Sequence, residues 1–126
     1  MAKNYVAPGE TIPWTNNTGS TVASGQLLAI GHIAAVALTT IANGATGTLG
    51  IEGVYDVPKV SAAVFTAGEK LVLDISANGG LGAFDDSAAT PASGDLTGAA
   101  IAVLPGANLE TTCRVKLTPG NATKTA

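Results

Sequence analysis

The chain has 126 residues, a formal net charge of −3 at pH 7 and 12% charged residues, about half of the usual share. This length predicts one domain, and the acidic balance argues against nucleic-acid binding, which needs clustered lysine and arginine. The 46% hydrophobic share includes many alanines and only five aromatic residues. We therefore expect a thin core, and such a core favours further burial against other copies or partners.

Neither a membrane segment nor a disulfide is predicted. The opening residues lack the apolar segment of a signal peptide. The most apolar run, residues 27–42, is shorter than the roughly 20 residues that cross a bilayer, and it contains Gly31 and His32. Cys113 is the single cysteine and has no internal partner.

The N-terminal part predicts an arm followed by an edge strand. Residues 1–9 predict an extended arm that ends at a Pro-Gly turn signal. Thr11–Thr15 predicts a strand, because Ile12 and Trp14 alternate with threonine and proline, and its proline places it at a sheet edge. Residues 16–25 are polar and predict a loop.

The apolar run that follows predicts two strands. Leu27–Ile30 is the first, and residues 33–40 are the second. The second is alanine-rich enough to form a short helix instead. We favour a strand because Val36, Leu38 and Thr40 share one strand face and turn signals flank the segment.

The central stretch, residues 49–74, predicts two strands around a bend. Residues 49–57 place most of their large apolar side chains on one face, the period of a half-buried strand, and Pro58 ends that strand. Residues 70–75 alternate aliphatic with charged side chains and predict the second strand.

The remaining chain predicts two further strands and a long loop. Residues 78–94 predict a surface loop with a short strand at 81–84. Residues 99–104 are apolar on both faces, as in a central buried strand, and residues 111–118 alternate cleanly.

These segments predict an all-β fold, a small β-barrel or β-sandwich of about eight to ten short strands. We expect one domain over residues 1–126. Its parts are an N-terminal arm at 1–9, a β body at 10–118 and a flexible tail at 119–126.

No pattern in the sequence predicts catalysis, a cofactor or a metal. His32, the only histidine, lies within an apolar run and favours a structural role, and Cys113 lies on an inward strand face. One cysteine and one histidine do not make a zinc site. Asp85, Asp86 and Asp95 fit no calcium-loop spacing. We therefore expect a protein that is not an enzyme.

Several motifs, in order, resemble a known family. They are MAKNYVAPGETI at the N-terminus, EGVYDVPK at 52–59, AGEKLVLD at 67–74, and GAAIAVL at 98–104 leading to TCRVKL at 112–117. In this order the chain resembles the small capsid decoration, or cement, proteins of tailed bacteriophages, a group long known only as a domain of unknown function. The resemblance implies a β-domain on the outer surface of the icosahedral head that bridges major capsid protein subunits after the shell expands.

The resemblance also implies partners and a location. It implies binding to the major capsid protein and self-association, with a trimer favoured and a dimer as the alternative. It implies synthesis in the host cytoplasm and a final place on the virion, without nucleic-acid or membrane partners. The candidate contacts with the capsid or another subunit are Ala2, Lys3, Asn4, Tyr5, Val6, Trp14, Tyr55 and Lys59.

A second hypothesis belongs to a different class. A receptor- or glycan-binding module on a virion or cell surface would use Trp14 and Tyr55 as stacking residues. A single tryptophan on an alternating strand more often packs into the core or a subunit contact, so the cement hypothesis is preferred.

Overall fold

The computed structural model describes residues 2–126, and Met1, the first residue of the predicted arm, lies outside the described residues. The fold is all-β, as predicted, with one short 3-10 helix at Asn78–Gly80 and no α-helix in residues 2–126. The strands are β1 (Thr11–Thr15), β2 (Leu27–Ile30), β3 (Ile33–Ala37), β4 (Thr46–Gly50), β5 (Gly53–Pro58), β6 (Lys70–Asp74), β7 (Ala83–Asp85), β8 (Leu96–Ala102), β9 (Thr112–Leu117) and β10 (Thr123–Lys124).

The strands form two antiparallel sheets. The first sheet has the order β1-β4-β3-β2, and the second has the order β5-β9-β8-β6-β7, with β10 paired to β8. Strand β1 lies at an edge, as its proline predicts. The two outer strands of the second sheet are linked, because the Val60 N–H, just after β5, donates to the Phe84 carbonyl of β7 at 2.9 Å. Neither sheet closes into a barrel, and the choice between barrel and sandwich stays a prediction.

The prediction of one strand over residues 49–57 is wrong. Leu49 lies in β4 and Val57 in β5, and these strands belong to different sheets. The chain crosses between the sheets at residues 51–52 and enters β5 at Gly53, whose φ of 113° is a conformation that glycine adopts readily. The apolar alternation continues through the crossing because Leu49, before it, and Val57, after it, are each buried in a hydrophobic cluster.

The structure confirms the strand interpretation of the alanine-rich run. Residues 33–37 form β3 and pair with β2 through a tight turn at residues 31–32, so the short helix does not occur. The strand ends at Ala37, earlier than predicted, and Leu38 is partly exposed. The clean alternation of β9 is also confirmed, with Cys113, Val115 and Leu117 buried.

Two further predictions need their boundaries changed. Strand β8 begins at Leu96 and ends at Ala102, three residues before the predicted start and two before the predicted end. The short strand predicted at 81–84 occurs as β7 at Ala83–Asp85.

Residues 119–126, which the sequence predicts as a flexible tail, are hydrogen-bonded to the body. Strand β10 pairs with Leu96 and Thr97 of β8. The Thr125 carbonyl accepts from the Gly94 N–H at 2.8 Å, and the Thr125 N–H donates to the Asp95 carbonyl at 3.0 Å. The sequence does not predict this strand, because its residues are polar. The strand is held by backbone hydrogen bonds and buries no large side chain.

The core is divided into two clusters. The larger cluster contains side chains from both sheets, among them Leu27 and Val36 of the first sheet and Phe84 and Leu96 of the second. The smaller cluster lies on the first sheet and contains Val22, Ala35, Ala37, Ile41 and Leu49.

Candidate functional site

The N-terminal segment, residues 2–9, lies outside the strands and is exposed throughout. It carries the contact candidates Ala2, Lys3, Asn4, Tyr5 and Val6, of which Tyr5 is 57% exposed and Val6 92% exposed. Two adjacent apolar side chains are thus presented to solvent next to the edge strand β1. An extended, releasable arm remains a prediction.

Trp14 is placed differently. It lies on β1 opposite Gly47 of β4 and packs, partly buried, against the smaller cluster. On this alternating strand the indole therefore packs against the cluster, and only part of it reaches the surface.

Tyr55 lies on β5 of the second sheet and packs, partly buried, against the larger cluster. Its hydroxyl lies over Gly50, so a side chain on Gly50 would collide with it. Tyr55 thus covers the place where the chain crosses between the sheets. Trp14 and Tyr55 pack into separate clusters on different sheets, which gives no support to a shared stacking platform for a glycan.

Lys59 differs from the other contact candidates because it is only 4% exposed. Its ammonium donates to the carbonyls of Val60 (2.9 Å), Ser61 (3.0 Å) and Glu110 (3.2 Å). Three acceptors use all three donors of an ammonium group. The side chain therefore ties the loop after β5 to the loop before β9, and its charged end is turned inward.

Those two loops also expose apolar side chains that the sequence does not single out. We call this region the loop tip, defined by Val64, Leu104 and Leu109, all of which are exposed. Leu109 is 78% exposed and has a φ of 75°, which is unfavourable for a leucine, and its N–H donates to the Ser61 carbonyl at 2.8 Å. Leu109 follows a turn-rich segment in the sequence, so no alternation of apolar and polar residues predicts its position.

The exposed face of β5 and β9 carries the clearest ion pair of the described chain. The Arg114 guanidinium donates two hydrogen bonds to the Asp56 carboxylate, at 2.9 and 3.1 Å. These bonds lower the pKa of Asp56 and raise the pKa of Arg114. Both side chains are exposed, so solvent screening makes the pair a minor contributor to stability.

The two residues with the most reactive side chains lie in different sheets, Cys113 in β9 and His32 at the turn between β2 and β3. Burial raises the pKa of the Cys113 thiol to about 11, so it is protonated at neutral pH. The Cys113 thiol points toward the Pro58 carbonyl. His32 is exposed at the turn between β2 and β3, where residues 31–32 were predicted to turn.

Over residues 2–126, no group of three His, Cys, Asp or Glu side chains is arranged to hold a metal ion. Within the same residues, no helix has the length and apolar character needed to span a bilayer.

The fold and these surfaces define an all-β protein whose candidate functional elements are exposed contact surfaces. The chain belongs to a family of structural proteins of phage particles: a family model described as phage cement protein matches residues 6–117. The predicted family is therefore confirmed. The match spans β1 to β9 and ends at Leu117, the last residue of β9. No curated protein matches the chain.

Proposed function

We propose that this protein binds the outer surface of the icosahedral phage head and bridges neighbouring major capsid protein subunits, which stabilises the shell. The observation that carries the proposal is the match to the phage cement protein family over residues 6–117. The protein would act as a homo-oligomer, with a trimer favoured and a dimer as the alternative. It would be made in the host cytoplasm, reside on the virion and have no enzymatic activity.

The structure supports bridging by offering two separate apolar contact surfaces. The N-terminal segment exposes Tyr5 and Val6, and the loop tip exposes Leu104 and Leu109. The loop tip is held in place by the Lys59 ammonium and the backbone hydrogen bonds between the two loops, so little order is lost when it binds. A contact of ordinary size, about 1,600 Å², suffices for each subunit, because several linked copies gain from effective concentration.

Shells that carry the protein are expected to withstand more heat than shells that lack it. Each bound copy would hold neighbouring capsid subunits together against the pressure of packaged DNA. The measurement is the temperature at which heads release DNA to an intercalating dye, compared between undecorated heads and the same heads after addition of the purified protein. Equal release temperatures for fully decorated and undecorated heads would contradict the cementing role.

Removal of residues 2–7 is expected to abolish attachment to heads while leaving the β body folded. The removed residues are exposed and lie outside the strands. Attachment is measured by co-sedimentation with undecorated heads, and folding by the thermal unfolding transition.

The double variant Tyr5→Ala with Val6→Ala tests the apolar side chains alone. Its matched control is Val54→Ala, which truncates an exposed aliphatic side chain on the second sheet. Unchanged attachment of the folded deletion variant would remove the N-terminal segment from the proposed contact.

A further inference from the structure

The charges of this protein are distributed very unevenly along the chain. Residues 11–51 contain no aspartate, glutamate, lysine or arginine. This segment forms the whole first sheet and the loops beside it. We call it the neutral layer.

All of the net charge lies elsewhere. Residues 52–126 form the second sheet and contain eight acidic and five basic residues, a formal charge of −3. Lys3 and Glu10 at the N-terminus cancel each other. Two copies that met through their second sheets would therefore bring two acidic surfaces together, which is unfavourable.

The neutral layer also has an apolar character suited to a contact. Its smaller core cluster is covered by apolar side chains that are only partly buried. Depletion of charge together with aromatic and aliphatic side chains is the compositional sign of an interface core. The partly exposed residues around the cluster are Ile12, Trp14, Leu28, Ile30 and Ile51.

We propose that copies of this chain contact one another through the neutral layer. A second copy is the occupant that the charges favour, because this layer lets two identical acidic molecules meet without like-charge repulsion. The proposal deepens the proposed function, since it rests on the homo-oligomer named there and assigns the surface that forms it. The charged second sheet then remains available for other contacts.

The first test uses the isolated full-length protein without heads. Sedimentation velocity over a range of concentrations is expected to show self-association. The association constant is expected to change little between about 0.05 and 0.5 M salt, because a neutral contact has few charges to screen. A wild-type protein that is monomeric at every concentration would overturn the proposal, and so would self-association that changes steeply with salt.

The second test places a charge on each sheet in turn. Ile30→Glu and Ile30→Lys introduce opposite charges at a partly exposed side chain beside the smaller cluster, and both are expected to weaken self-association by about 100-fold. Val54→Glu and Val54→Lys make the same changes at an aliphatic residue of the second sheet that is 53% exposed, and both are expected to leave self-association intact. The two glutamate variants have the same net charge, and so do the two lysine variants. Within each of these pairs, only the position of the introduced charge differs.

Ile12→Glu gives a second site beside the smaller cluster, on the edge strand β1, should the Ile30 variants fail to fold. Dissociation by the Val54 variants, or full association of folded Ile30 and Ile12 variants, would overturn the proposal. Co-sedimentation with heads is measured separately. Monomers that still bind heads would overturn the neutral-layer contact and leave the cementing function standing.

Discussion

Replacing Phe84 by alanine is expected to lower the free energy of unfolding by about 3–5 kcal/mol. Phe84 is fully buried and is the largest of the fully buried side chains. It lies in the cluster shared by both sheets, where its neighbours are mostly alanine, valine and leucine. Such small neighbours have few atoms that could move into the space, so most of the cavity would remain.

Urea denaturation followed by circular dichroism measures this change. A domain of this size has a total stability of about 5–15 kcal/mol, so the variant is expected to be partly unfolded in mild denaturant. The control is Val64→Ala, a truncation at the exposed loop tip, which should change stability by no more than about 0.5 kcal/mol. A loss below about 1 kcal/mol for Phe84→Ala would show that the core repacks around the gap.

The sequence was most informative where side chains alternate across one sheet. In β9 the buried Cys113, Val115 and Leu117 alternate with exposed neighbours, and the period of two alone predicts which face is inward. In β3 the same rule separated a strand from a short helix, although alanine favours the helix. Pattern and burial agree in β9, whereas β3 is buried on both faces and ends at Ala37, before Leu38 and Thr40.

The same rule failed where two strands follow each other without a break in the pattern. Leu49 and Val57 are both buried, but they enter different clusters on different sheets. Periodicity reports that a residue is buried and contains no information on which sheet buries it. The crossing depends on the conformation of Gly53, and a glycine within an alternating segment is also compatible with a continuous strand.

Surfaces were harder to predict than strands, because a contact residue on an exposed loop has no periodicity. Leu109 lies in a turn-rich segment, and its exposure results from hydrogen bonds to a loop about fifty residues earlier in the chain. The neutral layer is different. Its lack of charge is visible in the sequence, but only the sheet order shows that these residues form one layer.

Lys59 illustrates a placement that the sequence does not reveal. It follows Pro58 at the end of a strand, where a lysine is usually solvated, and its contact with the capsid stays a prediction. In the structure its ammonium is buried among three carbonyl oxygens. Its role is therefore to hold two loops together.

Replacing Lys59 by methionine is accordingly expected to lower the free energy of unfolding by about 2–4 kcal/mol. Methionine keeps much of the aliphatic length but leaves three carbonyls without their charged donor. The matched control is Lys116→Met on the exposed face of β9, which should change stability by no more than about 0.5 kcal/mol. Urea denaturation of both variants measures the difference.

Attachment to heads, measured at a temperature where Lys59→Met is folded, separates a structural role from a contact role. A buried ammonium that only positions the loops predicts that the folded variant binds heads nearly as well as the wild type, with any loss traced to a disordered loop tip. Binding is expected to persist in the folded variant because Leu104 and Leu109, not the lysine, reach the surface. Loss of attachment with unchanged stability would instead show that Lys59 leaves its three carbonyls and contacts the shell directly.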